Sequence, residues 1–248
     1  MESKFKMPTE EVELPSKGLI YPEDNPLSKG VIEMKYMSAK EEDILTNENY
    51  IKQGVVLDKL LKALVVTEGV DIDDLVVGDK NAILVAARIL GYGKDYKFEY
   101  KGEEITVDLS ELDLKYLDEN NLPNKGVNEF TYTLPHSENP ITYKLLTGKD
   151  ELKIRTELKG LAKISKQNSP ELTTRLKHML TSVNGETEMK DIRQFVDTMM
   201  LAKDSRALRS HIKDTQPDID MSFTFTNSNG EEEDATIPMT AGFFWPDV

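Results

Sequence analysis

Apolar residues recur along this chain at two different periods, and the segments carrying each period alternate. Val31-Ile32-Glu33-Met34-Lys35-Tyr36-Met37 alternates at period two, the pattern of a half-buried strand. Leu57, Leu60, Leu61, Leu64 and Val65 then fall at i, i+3, i+4, i+7 and i+8, which lines one face of a helix. Between them, Ser38 with Glu41 three residues on forms a capping box that opens a short helix, ending before Asn47-Glu48-Asn49. A further helix is expected over about residues 79–90, closed by Gly91-Tyr92-Gly93, where glycine permits left-handed backbone angles. Tyr96-Lys97-Phe98-Glu99-Tyr100, a Lys101-Gly102 turn and Ile105-Thr106-Val107-Asp108-Leu109 read as a hairpin.

The second half repeats the order. A strand pair is expected at 129–134 and 141–146, followed by helix throughout from Lys149 to about Asp214. Leu158, Leu161 and Ile164 mark an inner face there, Ser169-Pro170 reads as an N-cap with proline at the first helical position, and Ile192, Phe195, Val196, Met199 and Met200 repeat the helical spacing. A last hairpin runs from Met221-Ser222-Phe223-Thr224-Phe225 through Asn229-Gly230 to a returning strand at 235–239. The sequence of strands, helices and hairpin, given twice, predicts an α+β fold of antiparallel hairpins combined with helical bundles, without a βαβ rhythm. Residues 120–126, rich in Asn, Pro and Gly, read as a linker, which divides the chain into subdomains 1–122 and 123–248.

Charge narrows the function classes. The chain has 31 basic and 45 acidic residues, a net charge of -14, which opposes approach to phosphate backbones and argues against a nucleic-acid partner. The complete lack of cysteine removes disulfides, thiolate catalysis and Cys-ligated metal. The apolar run at 83–90 is broken by Arg88 and is far short of a membrane span, and the N-terminus lacks the apolar core of a signal peptide. A soluble intracellular protein with no membrane partner is the expectation.

Catalytic and cofactor templates fit poorly. His136, His178 and His211 have no second histidine at metal-ligand spacing, so no metal site is expected. Gly91-x-Gly93 follows a helix and lacks the third glycine of a dinucleotide loop, and Gly148-Lys149-Asp150 lacks the rest of a phosphate loop. Asp71, Asp73 and Asp74 resemble the start of a calcium loop, but Val76 and Ala82 stand where glycine and glutamate are needed. No cofactor is expected. An enzyme built on carboxylates brought together only in space remains the alternative to a binding protein.

Three features have a possible contact role. Arg155, Lys159, Lys163 and Lys166 form a basic stripe at i, i+4, i+8 and i+11, within a segment, 144–177, holding nine basic and four acidic residues. It reads either as a solvated helix face or as a docking surface for an acidic partner or for the acidic remainder of the chain. In Asp204-Ser205-Arg206-x-x-Arg209, Asp204 is placed to cap the helix that follows, and Arg206 and Arg209 share a face that either makes internal ion pairs or meets a partner's carboxylates. Phe243-Phe244-Trp245-Pro246 holds the chain's single tryptophan; such an aromatic end either tucks into its own core or anchors in another protein.

Several of these residues also carry a family resemblance. Val12-Glu13-Leu14-Pro15-Ser16-Lys17-Gly18-Leu19-Ile20-Tyr21-Pro22, Ser38-x-x-Glu41-Glu42-Asp43-Ile44-Leu45, Leu75-x-x-Gly78-Asp79-x-Asn81, Arg88-Ile89-Leu90-Gly91-Tyr92-Gly93, Asp204-Ser205-Arg206-x-Leu208-Arg209, Pro217-Asp218-Ile219-Asp220-Met221 and Phe243-Phe244-Trp245-Pro246 occur in order over nearly the whole chain. Together they resemble the T-even-like phage baseplate protein family of hub components and hub assembly factors, which is similar to tail assembly chaperones. Relatives often carry CxxC pairs in two hairpins, suggestive of zinc ribbons; here Tyr100-Lys101-Gly102 and Thr226-Asn227-Ser228-Asn229-Gly230 stand there, so the hairpins are expected without the metal. The resemblance implies a bacteriophage tail assembly protein that binds hub or tape-measure proteins and catalyses no bond making. It would act in the host cytoplasm and either remain in the virion baseplate or leave it, with a homo-oligomer left open.

Overall fold

The computed structural model describes residues 7–164, 170–226, 230–239 and 241–244, and the fold is α+β. β1 (Thr9–Glu13) and β2 (Val31–Lys35) form an antiparallel pair in which Val12 stands opposite Ile32. Three short helices follow: α1 (Ala39–Leu45), α2 (Glu48–Gln53) and α3 (Val56–Leu64). The Glu41 carboxylate takes the Ser38 amide at 3.0 Å and its hydroxyl at 2.5 Å, the expected capping box, and also the Lys35 ammonium at 2.9 Å. Asn47 caps α2 by accepting from the amides of Asn49 and Tyr50. Leu60, Leu61 and Leu64 of α3 are fully buried, the aliphatic face its spacing predicts.

α4 (Val77–Tyr92) is the central helix, with nine buried residues including Asp79 and Arg88. Its end is at Gly93, with φ of 84°, while Gly91 stays helical. β3 (Asp95–Tyr100) and β4 (Glu103–Asp108) make the predicted hairpin; its two turn residues have φ of 52° at Lys101 and 85° at Gly102, so glycine meets the second left-handed position without Cβ strain. β5 (Leu114–Lys115) follows, then β6 (Phe130–Thr133) and β7 (Pro140–Tyr143).

The next region departs from continuous helix. After α5 (Gly148–Ile164) and α6 (Glu171–Met179), residues Leu180–Val183 form β8, which adds to β7 through a bulge at Thr142 and Tyr143 and gives a three-stranded β6-β7-β8 sheet. α6 begins at Glu171 with Pro170 just before it, not inside it, and Ser169 lies outside the described residues. α7 (Met189–Thr198) buries Ile192, Phe195 and Val196, but Met199 caps its end at 62% exposure instead of extending the stripe. α8 (Ala202–Thr215), β9 (Asp218–Ile219), β10 (Ser222–Thr226) and β11 (Glu232–Thr236) complete the order. The returning strand therefore sits earlier than 235–239, since pairing of Phe223 with Ala235 and Phe225 with Glu233 fixes its register, and Asn229 of the expected turn lies outside the described residues.

Contacts distant in sequence tie the chain together. β5 pairs with β9, and one continuous cluster of buried side chains runs from Leu14 through Leu61, Ile83, Tyr143 and Leu208 to Phe244, crossing residue 122. The β3–β4 and β10–β11 hairpins face each other through rings: Phe98 meets Phe223 edge-on at 5.5 Å, and Tyr100 meets Phe225 at 5.5 Å. Lys101 pairs with Glu233 across the same contact. Aromatic area thus joins the two hairpins. Among the described residues no group of His, Asp and Glu gathers in a way that could hold a metal ion, and no helix is long and apolar enough to cross a membrane.

Candidate functional site

The residues that the sequence distributes over separate motifs meet at the first turn of α4. Asp79 is fully buried, and one of its oxygens accepts the Ser16 amide at 2.8 Å while the other accepts the Tyr21 hydroxyl at 2.6 Å. The Tyr21 oxygen in turn accepts the Val76 amide at 3.0 Å, which satisfies one of the donors left over at the helix start. Burial raises the pKa of Asp79 against the lowering effect of its Ser16 and Tyr21 donors, and raises that of Tyr21 further. One residue earlier, a Cβ on Gly78 would lie 1.8 Å from the Pro217 carbonyl oxygen, so only glycine lets the two backbones approach. Asn81 then donates to the Asp218 carboxylate at 3.0 Å. A fourth segment closes the turn, with Val77 donating to Leu146 at 3.1 Å and Gly148 to Leu75 at 3.0 Å.

This junction binds four stretches of chain with a carboxylate whose two oxygens are both occupied by protein donors. It is a carboxylate used for structure. Arg88, at the other end of α4, is 2% exposed and donates to the Gly93 carbonyl at 3.0 Å, with its guanidinium 5.1 Å from the Tyr92 ring and 5.7 Å from that of Tyr96. Burial pushes its pKa down. Nothing in the period or charge of the sequence sets Asp79 or Arg88 apart; the signal was their place in the Gly78-Asp79-x-Asn81 and Arg88-to-Gly93 runs.

The contact candidates are distributed differently from the expectation. Asp204 does not cap α8: Leu201 occupies that position, and Asp204, three residues in and fully buried, accepts the amides of His136 at 2.8 Å and Ser137 at 3.1 Å. Burial pushes its pKa up, but the Ser137 and His136 donors outweigh that and hold it below the usual carboxylate range. It therefore fastens α8 to the β6–β7 loop. Arg206 and Arg209 remain exposed on α8, and Arg209 turns its Nε back to the Ser205 carbonyl at 3.3 Å.

On α5, Arg155 is half-buried and donates to the Gly54 carbonyl at 3.2 Å, so it serves the chain's own α2 end. Lys159 and Lys163 are exposed and carry no ion pair among the described residues; Lys166 lies outside those residues. The acids of α5 lie elsewhere on the helix. Glu157 takes both terminal nitrogens of Arg193, at 2.8 and 2.9 Å, and the His178 ring at 2.9 Å, and Arg193 first, then His178, pull its pKa down to about 2 against burial.

Two rings of the aromatic end, Phe243 and Phe244, lie within the described residues. Phe243 is 0% and Phe244 1% exposed, and Phe243 packs edge-on to Tyr96 at 5.0 Å. These two side chains therefore lie in the chain's own core, Phe243 on Tyr96 of β3 and Phe244 edge-on to Phe243 at 5.2 Å. Trp245 and Pro246 lie outside the described residues.

A groove remains on the open side of α4. It holds about 270 Å³ and is lined by Glu10 to Glu13 of β1 on one side, by Val85, Ala86 and Ile89 below, and by Leu109, Leu114 and Ile219 opposite. No basic residue lines it among the described residues. Compared with protein-family models, with curated proteins and with solved structures, the chain matches none of them.

Proposed function

We propose that this chain is a bacteriophage tail assembly protein, a baseplate hub component or hub assembly chaperone, that works by binding hub or tape-measure proteins. The observation that carries the reading is the meeting of its quoted motifs at α4: Ser16, Tyr21, Gly78, Asp79, Asn81, Pro217 and Asp218 make one interlocked junction. Residues scattered through the sequence resemblance thereby acquire one shared physical purpose, as expected of a family defined by its scaffold. A second support is the division of labour among charges. Asp79, Asp204 and Glu157 are saturated by internal donors, whereas Lys159, Lys163 and Arg206 stand exposed without ion pairs among the described residues. Exposed cations without ion pairs on a chain of charge -14 are suited to meeting an acidic partner.

Co-expression with candidate hub and tape-measure proteins followed by affinity capture tests this. The triple change Lys159→Glu, Lys163→Glu, Arg206→Glu is expected to abolish capture while leaving the circular-dichroism spectrum unchanged. Capture that survives the triple change removes these cations from the interface, and failure of every hub and tape-measure protein to associate with the wild-type chain overturns the assignment.

A further inference from the structure

Among the described residues, no strand pairs with the outer edge of β1 in the β1–β2 sheet. Leu14 donates to the Gly30 carbonyl at 2.8 Å and Tyr36 to the Pro8 carbonyl at 3.2 Å, which with the register places the backbone groups of residues 8, 10, 12 and 14 toward β2. The amides and carbonyls of Thr9, Glu11 and Glu13 consequently point away from the sheet, and none has a backbone partner among the described residues. Among the described residues the outer edge is engaged past the strand, where the Pro15 carbonyl accepts the Leu117 amide at 3.0 Å. Four consecutive residues, Glu10 to Glu13, line the groove beside α4. Side chains alternate across a strand, so a run of four faces the groove only if the backbone edge itself does.

Apolar floor, unpaired backbone edge and acidic rim converge on one kind of occupant. We propose that this groove accepts an extended segment of a partner protein in which apolar residues alternate with lysine or arginine, added as a third strand beside β1. Its backbone pairs with Thr9, Glu11 and Glu13 over about 17 Å, at roughly 3.4 Å per residue. Its apolar side chains rest on Val85, Ala86 and Ile89, and its cations, on the other face of the strand, meet Glu11 and Glu13. Glu10 and Glu13 already accept the Tyr36 and Tyr116 hydroxyls, whereas Glu11 has no partner among the described residues. A second copy of this chain is the poorer occupant. Antiparallel pairing of two β1 edges would set the glutamates of one strand against those of the other, and like charges across a ladder repel. This surface is opposite in charge to Lys159, Lys163 and Arg206, and its role holds whether or not the partner belongs to a phage tail.

Fluorescence anisotropy with a short labelled peptide of alternating valine and lysine tests the site on the full chain, with alternating serine and lysine as the control for charge alone. The valine–lysine peptide is expected to bind and to protect the amides of Thr9, Glu11 and Glu13 from hydrogen exchange. Glu11→Pro removes an outward donor without touching the bonds to β2 and is expected to weaken binding about tenfold or more. Glu11→Lys, an exposed change that the fold tolerates, is expected to weaken it by reversing the charge. Equal binding of the serine–lysine control, binding that both variants leave unchanged, or binding without protection of the three amides overturns the proposal. So does concentration-dependent dimerisation in sedimentation that Glu11→Pro abolishes, since the edge would then belong to a second copy.

Discussion

Replacing Asp79 tests whether the α4 junction holds the chain together. Asp79→Ala deletes the acceptors of the Ser16 amide and the Tyr21 hydroxyl, both in an interior without exposure. Each orphaned buried donor costs about 1–3 kcal/mol, and relief from burying a carboxylate offsets part of the sum, so a net loss of about 3 kcal/mol is expected. Within a total stability of about 5–15 kcal/mol, that is a shift of about 1 M or more in a urea midpoint followed by far-ultraviolet circular dichroism. The pH dependence sharpens the test. Burial raises the Asp79 pKa in the fold, so this residue's contribution to stability is complete below its unfolded pKa and is lost as pH rises through the folded value. Asp79→Asn does not titrate; the stability gap between wild type and this variant is therefore expected to narrow with rising pH. A gap that widens with pH would refute the upward shift of Asp79, and an Asp79→Ala stability within about 0.5 kcal/mol of wild type would refute its reading as a buried structural acceptor.

Other changes probe separate contacts. Gly78→Ala would set a methyl group 1.8 Å from the Pro217 oxygen, and the backbone shift it forces is expected to cost about 1–3 kcal/mol in the same urea assay. Phe243→Ala should cost about 3–5 kcal/mol by thermal melting, the loss typical of a core aromatic ring, whereas a ring serving only a partner would leave the melt unchanged. Glu157 is held at about 2 by Arg193 and His178, below its unfolded value, so its contribution is present above the unfolded pKa and is lost as pH falls through about 2. Glu157→Gln is expected to cost about 2 kcal/mol at pH 7 and progressively less below about pH 4.5, measured as the difference in urea midpoints.

Local patterns carried much of the fold. The Ser38 and Glu41 pair, the aliphatic face of α3 and the Lys101-Gly102 turn are decided within a few residues, where side-chain spacing and backbone angle act directly. β8 escaped because Leu180-Thr181-Ser182-Val183 is a four-residue run between helices, and it is a strand only because β7 lies alongside. β11 lies earlier than expected because its solvent-facing acids obscure an alternation in which Ala235 is the buried residue of the strand. The contact residues depend still more on distant partners. Asp204 satisfies amides 67 and 68 positions away, and Asp79 acquires its role from Ser16 and Tyr21, so neither assignment is available to spacing alone. The aromatic end offered two physically equal destinations, and only the presence of Tyr96 beneath Phe243 decides between them.

The close fit of Gly78 against Pro217 also sets a schedule for synthesis. α4 leaves the ribosome first, and the backbone that seats on its first turn is translated some 139 residues later, the difference between those two positions. At about 5–20 residues per second the wait is on the order of ten seconds, longer than the collapse of a small chain. During that interval the nascent chain displays the α4 surface that Pro217 and Ile219 later cover, a window in which a holding factor gains access and a prematurely truncated product is left exposed to proteolysis.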